Sequence, residues 1–326
     1  MLRKRLYLLI ISILSATVLL AQERSSVFNF LSLPTSSHAI GLGGRNISVI
    51  DDDASLAFQN PALLASVSDN SINFNFMTYM RGTKNGSASF TRIAGERGTW
   101  GVNAQFLGYG KIEETDEWGN QLGSNTALDM AISGLYSYNL SDRWVGGATG
   151  KFIYSKYATY SSVALAVDLG LNYYDEEHNV SFSAVAANLG GQVKAFGNHH
   201  ERLPFNLMMG FTKGIAHAPF RISVTMSDMT RWKKTDLYFV DKAPNGGKLL
   251  MSHFNVGIDV LPTKTTYLSM GFNFRRAYEM KAAGSSHAAG LTFGAGINVK
   301  HFKFGLAYGK YHVSAPTLAF TLGYHI

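Results

Sequence analysis

The chain has 326 residues, with 29 basic and 22 acidic residues and no cysteine. Without cysteine it cannot form disulfides, bind metals through thiolates or carry a lipoprotein anchor. Only 16% of the residues are charged, whereas soluble domains usually carry about a quarter, and glycine, tyrosine and phenylalanine are abundant. No apolar run of about 18 residues follows the amino terminus, so the composition favours a membrane β-barrel over a soluble domain or a helical membrane protein.

The first residues predict export. Three basic residues at positions 3–5 precede an apolar run over 6–20, and Ala21 offers a small residue for cleavage. We therefore expect a signal peptide over residues 1–21. Its removal takes away three basic residues and leaves 26 against 22 acidic ones, a balance that gives no reason to expect a nucleic-acid partner.

Residues 22–70 lack strand-like alternation and predict a separate segment. Asp53 is placed to cap a helix over 54–65, and Asn60 with Pro61 can restart that helix as N-cap and first helical residue. An apolar, glycine-punctuated segment before the first strand is well placed to fold into a barrel lumen. A fourteen-strand barrel leaves a channel unless something fills it, so we predict a partly helical plug.

Residues 71–326 alternate in hydrophobicity with period two, as barrel strands do. The clearest case is the run 163–173, in which Val, Leu and Tyr alternate with Ala, Asp, Gly and Asn. The second face carries small and polar residues rather than Lys and Glu, which suits a crowded lumen. Strands are predicted at 71–81, 87–94, 98–109, 127–139, 143–154, 162–174, 179–187, 206–214, 219–227, 252–261, 265–275, 289–299, 301–310 and 316–326.

The connections between these strands alternate between short and long, which tests the strand count independently. The short ones are 95–98, 141–142, 175–178, 215–218, 262–264 and residue 300. The long ones are 110–126, 155–161, 188–205, 228–251, 276–288 and 311–315, with 82–86 the one tight member. Short periplasmic turns and long outer loops predict a fourteen-stranded antiparallel transmembrane β-barrel of an outer membrane, with both termini periplasmic.

Two short motifs in the plug segment suggest ligand sites. Asp51, Asp52 and Asp53 offer the carboxylate oxygens that suit calcium, but we favour helix capping by Asp53 beside two solvated neighbours. The run 41–44 (Gly-Leu-Gly-Gly) resembles a phosphate-binding loop, yet the dinucleotide spacing fails at Asn46. A tight turn packed inside the barrel is the favoured interpretation, and we predict no metal or cofactor site.

Histidines and charged residues in the barrel region give no catalytic set. His199 and His200 are adjacent and point different ways in extended structure, so a shared metal is not expected. No Gly-x-Ser-x-Gly nucleophile motif occurs, and we predict no catalytic residues. By parity Asp168, Asp129 and Arg92 face the lumen, where they either pair with one another and the plug or line a conduction path.

The predicted outer loops differ in charge. Loop 110–126 is acidic, whereas 228–251 and the surroundings of 276–288 are basic. These are either ordinary solvated loops or surfaces that meet lipopolysaccharide phosphate or an acidic partner. Loop 228–251 also carries aromatic anchors, so it is the predicted docking site for a partner. Its candidate residues are Arg231, Trp232, Lys233, Lys234, Tyr238 and Phe239.

The plug segment carries a family resemblance. Its signature residues are Phe28, Phe30, Leu31, Leu33, Pro34, Gly41, Gly43, Gly44, Asp51, Asp53, Asn60 and Pro61. This pattern resembles the amino-terminal signature of the PorV/PorQ proteins of the type IX secretion system, with the chain length more similar to PorQ. The resemblance implies a FadL-like barrel with an N-terminal plug. Ser37 and His38 depart from it, since the family pattern has Ala-Arg there.

The resemblance also implies a function. PorQ-type proteins are non-enzymatic members of an attachment complex that hold a PorZ-like surface protein beside PorU and PorV, for cargo processing and attachment to lipopolysaccharide. The alternative hypothesis is a FadL-like transporter of hydrophobic molecules with an apolar pocket lined by Phe28, Phe30 and Leu31. A lipid-acting membrane enzyme is the third hypothesis, for which the sequence offers no constellation.

Overall fold

The computed structural model describes residues 26–234, 244–280, 288–311 and 316–326. These residues form a closed barrel of fourteen antiparallel strands in which each strand is hydrogen-bonded to its neighbours in sequence and β1 closes onto β14. The prediction of fourteen strands is confirmed. The predicted signal peptide at 1–21 lies outside the described residues.

The strands differ in length around the barrel. They are β1 (Ser71–Thr78), β2 (Lys84–Ala94), β3 (Gly98–Thr115), β4 (Gln121–Asn139), β5 (Trp144–Tyr157), β6 (Tyr160–Asp175), β7 (Val180–Lys194), β8 (Asn206–Gly214), β9 (Phe220–Met226), β10 (Phe254–Thr263), β11 (Thr266–Asn273), β12 (Leu291–Val299), β13 (Phe302–Gly309) and β14 (Thr317–His325). Connections of two to five residues join them at one end of the barrel, called the turn end here. The opposite end, which carries most of the longer connections, is called the loop end.

Each strand turns alternate side chains outward, as period two requires. Outward residues include Phe74, Phe106, Phe304 and Phe320, each about half exposed. Such a band of exposed apolar side chains suits contact with lipid rather than water. No helix among the described residues has the length and apolarity needed to cross a membrane.

Aromatic residues near the strand ends lie on the outer surface. Trp100, Trp144, Tyr173 and Tyr324 are close to the turn end, and the Trp144 and Tyr173 ring centroids lie 5.1 Å apart. Tyr154 lies toward the other end of β5. Amphipathic rings at this height match the interfacial aromatic belt of membrane barrels.

Strands β3 to β7 are taller than the rest, with 14 to 19 residues against 7 to 11 elsewhere. The predicted loops 110–126, 155–161 and 188–205 are therefore partly wrong, because most of the first two and the start of the third continue the ladder. Their polar residues suggested loops. A strand that rises beyond the bilayer needs no apolar face, so polar composition does not end it.

The plug segment fills the lumen with short helical turns. They are η1 (Asn29–Ser32), α1 (Ser37–Gly41), η2 (Ala54–Phe58) and η3 (Pro61–Ser66). Asp53 caps η2 by accepting from the Ser55 N–H at 2.9 Å, and Asn60 caps η3 with Pro61 as its first residue. Both predicted caps are found, but they begin two 3₁₀ turns rather than one α-helix. Because Pro61 has no N–H to donate, the chain starts a new turn there.

The plug begins at the loop end and finishes at the turn end. Ser26 forms a bridge with Arg202 in the long β7–β8 connection, and Ser71 then starts β1 at the turn end. The carboxyl-terminal Ile326 also lies at the turn end. Three further turns flank the loop end: η4 (Met80–Gly82), α2 (Gly246–Met251) and α3 (Phe274–Glu279). The periplasmic placement of both termini stays a prediction.

Candidate functional site: the plugged lumen

The plug backbone lies directly against glycines of the barrel wall. A Cβ added to Gly271 would lie 2.2 Å from the Gly43 nitrogen, and one on Gly147 would lie 2.4 Å from the Pro61 carbonyl carbon. A Cβ on Gly294 would stand 3.1 Å from the Gly41 Cα. Wall glycines therefore form grooves that only backbone can fill, which explains the small residues on the inward faces.

The 41–44 turn packs against these wall glycines, a contact called the plug seat here, and does not form a phosphate site. Gly43 and Gly44 have positive φ values of 95° and 87°, which favour glycine. The Gly43 N–H donates to Thr292 Oγ1 at 3.0 Å, and Asn273 Nδ2 donates to the Gly43 carbonyl at 3.1 Å. The predicted tight turn inside the barrel is thus observed, with its N–H and C=O groups used by the wall.

A buried network of charges ties the plug to the wall near the turn end. His38 in α1 is 1% exposed, with Nδ1 2.7 Å from Asp51 Oδ2 and Nε2 3.1 Å from Asp259 Oδ1. Arg221 Nη2 lies 2.7 Å from Asp259 Oδ2, and Lys303 Nζ lies 2.7 Å from Asp51 Oδ2. Two plug residues thus meet three charged wall residues, and no buried charge in the network lacks an opposite partner.

His38 lies between the carboxylates of Asp51 and Asp259. Burial alone lowers its pKa, but the charges and hydrogen bonds of Asp259 and Asp51 outweigh burial and raise the pKa. The imidazole is therefore favoured in its cationic form, so a positive charge lies between the two carboxylates. The Tyr267 ring stacks on it with centroids 3.9 Å apart, which fixes its plane.

We expect the plug seat to weaken at alkaline pH. A histidine whose pKa is raised on folding contributes its stability below the unfolded pKa, about 6.5, and loses it as the pH rises through the folded value. Burial raises the pKa of Asp51, but the charges and hydrogen bonds of Lys303 and His38 outweigh burial and lower this pKa. Acid therefore weakens the contact of the plug with the wall only far below neutral pH. Ion conductance through reconstituted barrels should rise from about pH 6 to about pH 9. The uncharged variant His38→Gln should conduct more at the lower pH and lose this pH dependence; an unchanged profile would contradict the assignment.

The three adjacent aspartates point to three different partners. Asp51 joins the charge network, and Asp52 accepts from the Ser68 N–H and Oγ at 2.8 and 2.6 Å. Asp53 caps η2 and also accepts from Ser36 Oγ at 2.6 Å. The run is therefore not a shared cation site. The expectation that Asp51 and Asp52 are solvated is wrong for the same reason, since both are largely enclosed by the plug and the wall.

An apolar cluster at the loop end joins the start of the plug to the tall strands. Phe28 and Phe30 are buried against Leu107, Ile153 and other inward residues of β3 to β6. Leu203 and Phe196 of the long β7–β8 connection close the cluster from above, and the Phe28 and Phe196 ring centroids lie 6.1 Å apart. We call this cluster, with residues 195–205 as its cover, the apolar chamber.

A small cavity lies below the apolar chamber, between plug and wall. Its volume is about 50 Å³, and its lining is mixed. Its apolar lining includes Leu31, Leu33, Phe58 and Met208, and its polar lining includes Lys151. A benzene-sized guest occupies a cavity of about 150 Å³, so this space holds a few waters and admits no ring until the plug moves. This cavity is therefore too small for an aromatic ring in this conformation.

Buried charges also sit beside the cavity and the chamber. Lys151 Nζ is 2.6 Å from Asp168 Oδ2. Asp129 accepts from Tyr109 and Tyr157 at 2.6 and 2.9 Å, and from Ser155. The inward prediction for Asp168 and Asp129 agrees with this placement. The inward prediction for Arg92 is wrong. The odd-numbered residues of β2 face inward, so Arg92 points outward at the turn end.

The predicted docking residues divide into two groups. Arg231 lies 3.8 Å from Asp228, which also pairs with Arg275 at 2.7 Å, and Trp232 donates to the Met229 carbonyl. Lys233 and Lys234 are exposed. Tyr238 and Phe239 lie outside the described residues. Arg231 is thus a partly exposed member of an ion-pair cluster with Asp228, and the docking role of these residues stays a prediction.

Neither predicted histidine joins a metal-binding arrangement within the described residues. His199 and His200 are exposed in the β7–β8 connection. The one group of ligand-type side chains with suitable spacing in the described part of the chain is Asp175, Glu177 and His178, in a turn where Arg143 also pairs with Asp175 at 3.1 Å.

Sequence reasoning missed the residues that lock the plug. Asp259, Arg221 and Lys303 all occupy inward positions of predicted strands, so parity combined with charge was the signal that marked them. Phe196 lay in a predicted loop, and no pattern marked its packing on Phe28.

Comparison with known proteins finds the same architecture in solved structures. No protein-family model matches the chain, and no curated protein sequence matches it. The CymD monoaromatic hydrocarbon channel has a TM-score of 0.56 at 12% identity, covering 92% of this chain and 98% of that chain. The Pseudomonas putida toluene transporter TodX has a TM-score of 0.55 at 11% identity, covering 92% and 98%. A Pseudomonas aeruginosa FadL homologue has a TM-score of 0.52 at 10% identity, covering 89% and 97%.

Fold and comparisons together define a class. The chain is a closed fourteen-stranded β-barrel of the outer-membrane type with a plug in its lumen. Within that class its fold is that of the FadL-like barrels, as the resemblance implied. The finer assignment to the PorV/PorQ proteins stays a prediction.

Proposed function

We propose that this protein is an outer-membrane channel that admits small hydrophobic molecules when its plug moves. The observation that carries the proposal is the apolar chamber, a packed cluster of apolar side chains, above a small, partly enclosed cavity between the plug and the wall. Aromatic and aliphatic side chains with a few fixed polar groups are the usual lining of a site for small apolar ligands. The solved channels with this fold are named for monoaromatic hydrocarbons and toluene, which suits such a lining.

The plug gives the channel its gate. Its seat combines backbone packed on wall glycines with a buried charge network, so the closed state is specific rather than a loose obstruction. A cavity of about 50 Å³ cannot pass a ring, and transport therefore requires a second plug position. We place the entry at the apolar chamber because its cover, residues 195–205, is a long connection and not part of the ladder.

Uptake of labelled toluene by cells tests the proposal. Cells that carry the protein should take up toluene faster than cells without it. Ala131→Val adds two methyl groups at the cavity wall without exceeding the free space and should reduce the difference severalfold, because Ala131 lines the cavity. The matched control Ala104→Val adds the same groups on the exposed outer face of β3 and should leave uptake unchanged. Equal uptake with and without the protein would refute the channel.

The second candidate is the non-enzymatic anchor for a PorZ-like surface protein beside PorU- and PorV-like members, with attachment of cargo to lipopolysaccharide. The signature in the plug favours it, since twelve residues of that pattern are present. Most of them, however, have roles in the seat or the chamber that any plugged barrel needs. Affinity purification from intact outer membranes tests the anchor: a surface protein recovered in near-equal amount supports it, and recovery of the barrel alone counts against it.

A further inference from the structure

The tip of the β3–β4 hairpin stands free above the barrel. The last β2–β3 pair joins Lys84 to Gly108, and the last β4–β5 pair joins Tyr157 to Ala127. Beyond them β3 and β4 pair only with each other, from Lys111 opposite Thr126 up to the turn at 116–120. Residues 111–126, called the acidic ribbon here, thus form a two-stranded sheet. Among the described residues its β3 edge has no strand partner, and its β4 edge has only the Ala158 N–H, which donates to the Thr126 carbonyl at 3.2 Å.

The acidic ribbon lacks the neighbouring strands that usually stabilise a β-hairpin. An isolated two-stranded hairpin is marginally stable in water, and an open strand edge is a template for another strand. Its turn is nevertheless well built: Asp116 accepts from the Trp118 and Asn120 N–H groups at 3.0 and 2.8 Å, and Gly119 supplies a positive φ of 85°. The ribbon is ordered by its own contacts and then exposes its edges.

Large apolar side chains are exposed on the ribbon. Trp118 is 83% exposed at the tip, Leu122 66% and Ile112 47%. They lie above the strand positions that form the lipid-facing band, so lipid does not account for them. Tryptophan is the side chain that most often anchors a protein interface. The ribbon therefore offers both backbone and side-chain contacts to a partner.

The charge of the ribbon selects the partner. Glu113, Glu114, Asp116 and Glu117 stand against Lys111, a net charge of −3. The charged side chains lie on the β3 side and the turn, whereas the β4 side, 121–126, has none. An anionic lipid surface is repelled by this arrangement, and a basic segment is attracted.

We propose that the acidic ribbon docks an extended basic segment of another protein, which adds a strand along the β3 edge at residues 111–115. Main-chain hydrogen bonds supply the pairing, as in other cases of strand addition, and the carboxylates select lysine- or arginine-bearing segments. Trp118 covers the end of the added strand. This surface is separate from the lumen, so it serves the protein whether the channel or the anchor function holds.

A fluorescein-labelled peptide of alternating lysine and threonine, ten residues long, is the probe. Its binding to the purified full chain in detergent is measured by fluorescence anisotropy. The double variant Glu113→Lys/Glu114→Lys should weaken binding at least tenfold. The control Glu176→Lys/Glu177→Lys makes the same charge change in an exposed turn at the opposite end and should bind as the wild type does. Heat-modifiable gel mobility shows that each variant is a folded barrel.

A second peptide separates strand addition from simple charge attraction. N-methylation of alternate residues keeps the charge and removes the donors along one peptide edge. Two such peptides cover both edges, and the one that blocks the pairing edge should bind at least tenfold more weakly. Equal binding of both methylated peptides and the parent peptide would overturn the proposal. So would charge-reversed variants that alter only self-association in sedimentation, because the occupant would then be a second copy.

Discussion

Replacing Asp259 with alanine is expected to open the lumen to ions. Asp259 is 1% exposed and holds His38 of the plug at 3.1 Å and Arg221 of β9 at 2.7 Å. Removing one partner of a buried ion pair costs about 3–5 kcal/mol, because the remaining charge stays desolvated without compensation. Moving the plug away from the wall relieves that cost. Conductance of purified protein in planar lipid bilayers should therefore rise from the low level of the closed wild type.

Two variants show whether this effect belongs to the network. Asp142→Ala makes the same substitution at an exposed position of the turn end and should conduct as the wild type does. Asp259→Ala combined with Arg221→Met also removes one of the two cations that Asp259 pairs with. It should restore part of the closure, because His38 keeps its other partner, Asp51, and replacing both members of a buried pair by apolar groups is often neutral. Wild-type conductance in the Asp259→Ala protein would show that the charges do not hold the plug.

Adding one methyl group to Gly271 is expected to loosen the plug seat. The new Cβ would lie 2.2 Å from the Gly43 nitrogen and 2.3 Å from the Leu42 carbonyl carbon, which are backbone atoms that cannot swing aside. Overpacking of this kind costs about 1–3 kcal/mol. Cleavage at Arg45 by trypsin, followed by mass spectrometry, should accelerate roughly five- to a hundredfold, because the open population rises by the Boltzmann factor of that cost.

Gly134 provides the matched control. It is also a wall glycine, but a Cβ there meets nothing within 4 Å. Gly134→Ala should leave both the cleavage rate at Arg45 and the midpoint of thermal unfolding unchanged. If Gly271→Ala and Gly134→Ala are cleaved equally fast, close packing of the plug on glycine is not what keeps it seated.

The barrel was predictable from sequence because its two signals are local. Period two is set by the pleat of each strand, and the alternation of short and long connections is set by the chain's return through the membrane. Asp53 and Asn60 were predictable as caps for the same reason, since a cap acts within three residues. The inward position predicted for Arg92 was wrong. It shares the outward face of β2 with Phe90, whereas small polar residues such as Ser89 and Thr91 face inward.

The buried charge network and the apolar chamber were not predictable, because they depend on contacts between residues that are distant in the sequence. His38 meets Asp259, which is 221 residues away in the sequence, and Phe28 meets Phe196 of the β7–β8 connection. Polar runs at the loop end were predicted as loops, but Glu113 and Glu114 lie in a continuing strand. Nothing in the composition of that run separates a loop from a strand that stands in water.

A reversible crosslink between plug and wall tests whether transport requires movement of the plug. Ser48 of the plug and Thr212 of β8 are joined by their hydroxyls at 2.8 Å, and the chain has no native cysteine to interfere. In cells that carry Ser48→Cys/Thr212→Cys, uptake of labelled toluene should stop when the disulfide is formed and return when it is reduced. Each single-cysteine variant should transport under both conditions. Toluene uptake that continues unchanged through the oxidised, crosslinked protein would contradict a channel gated by its plug.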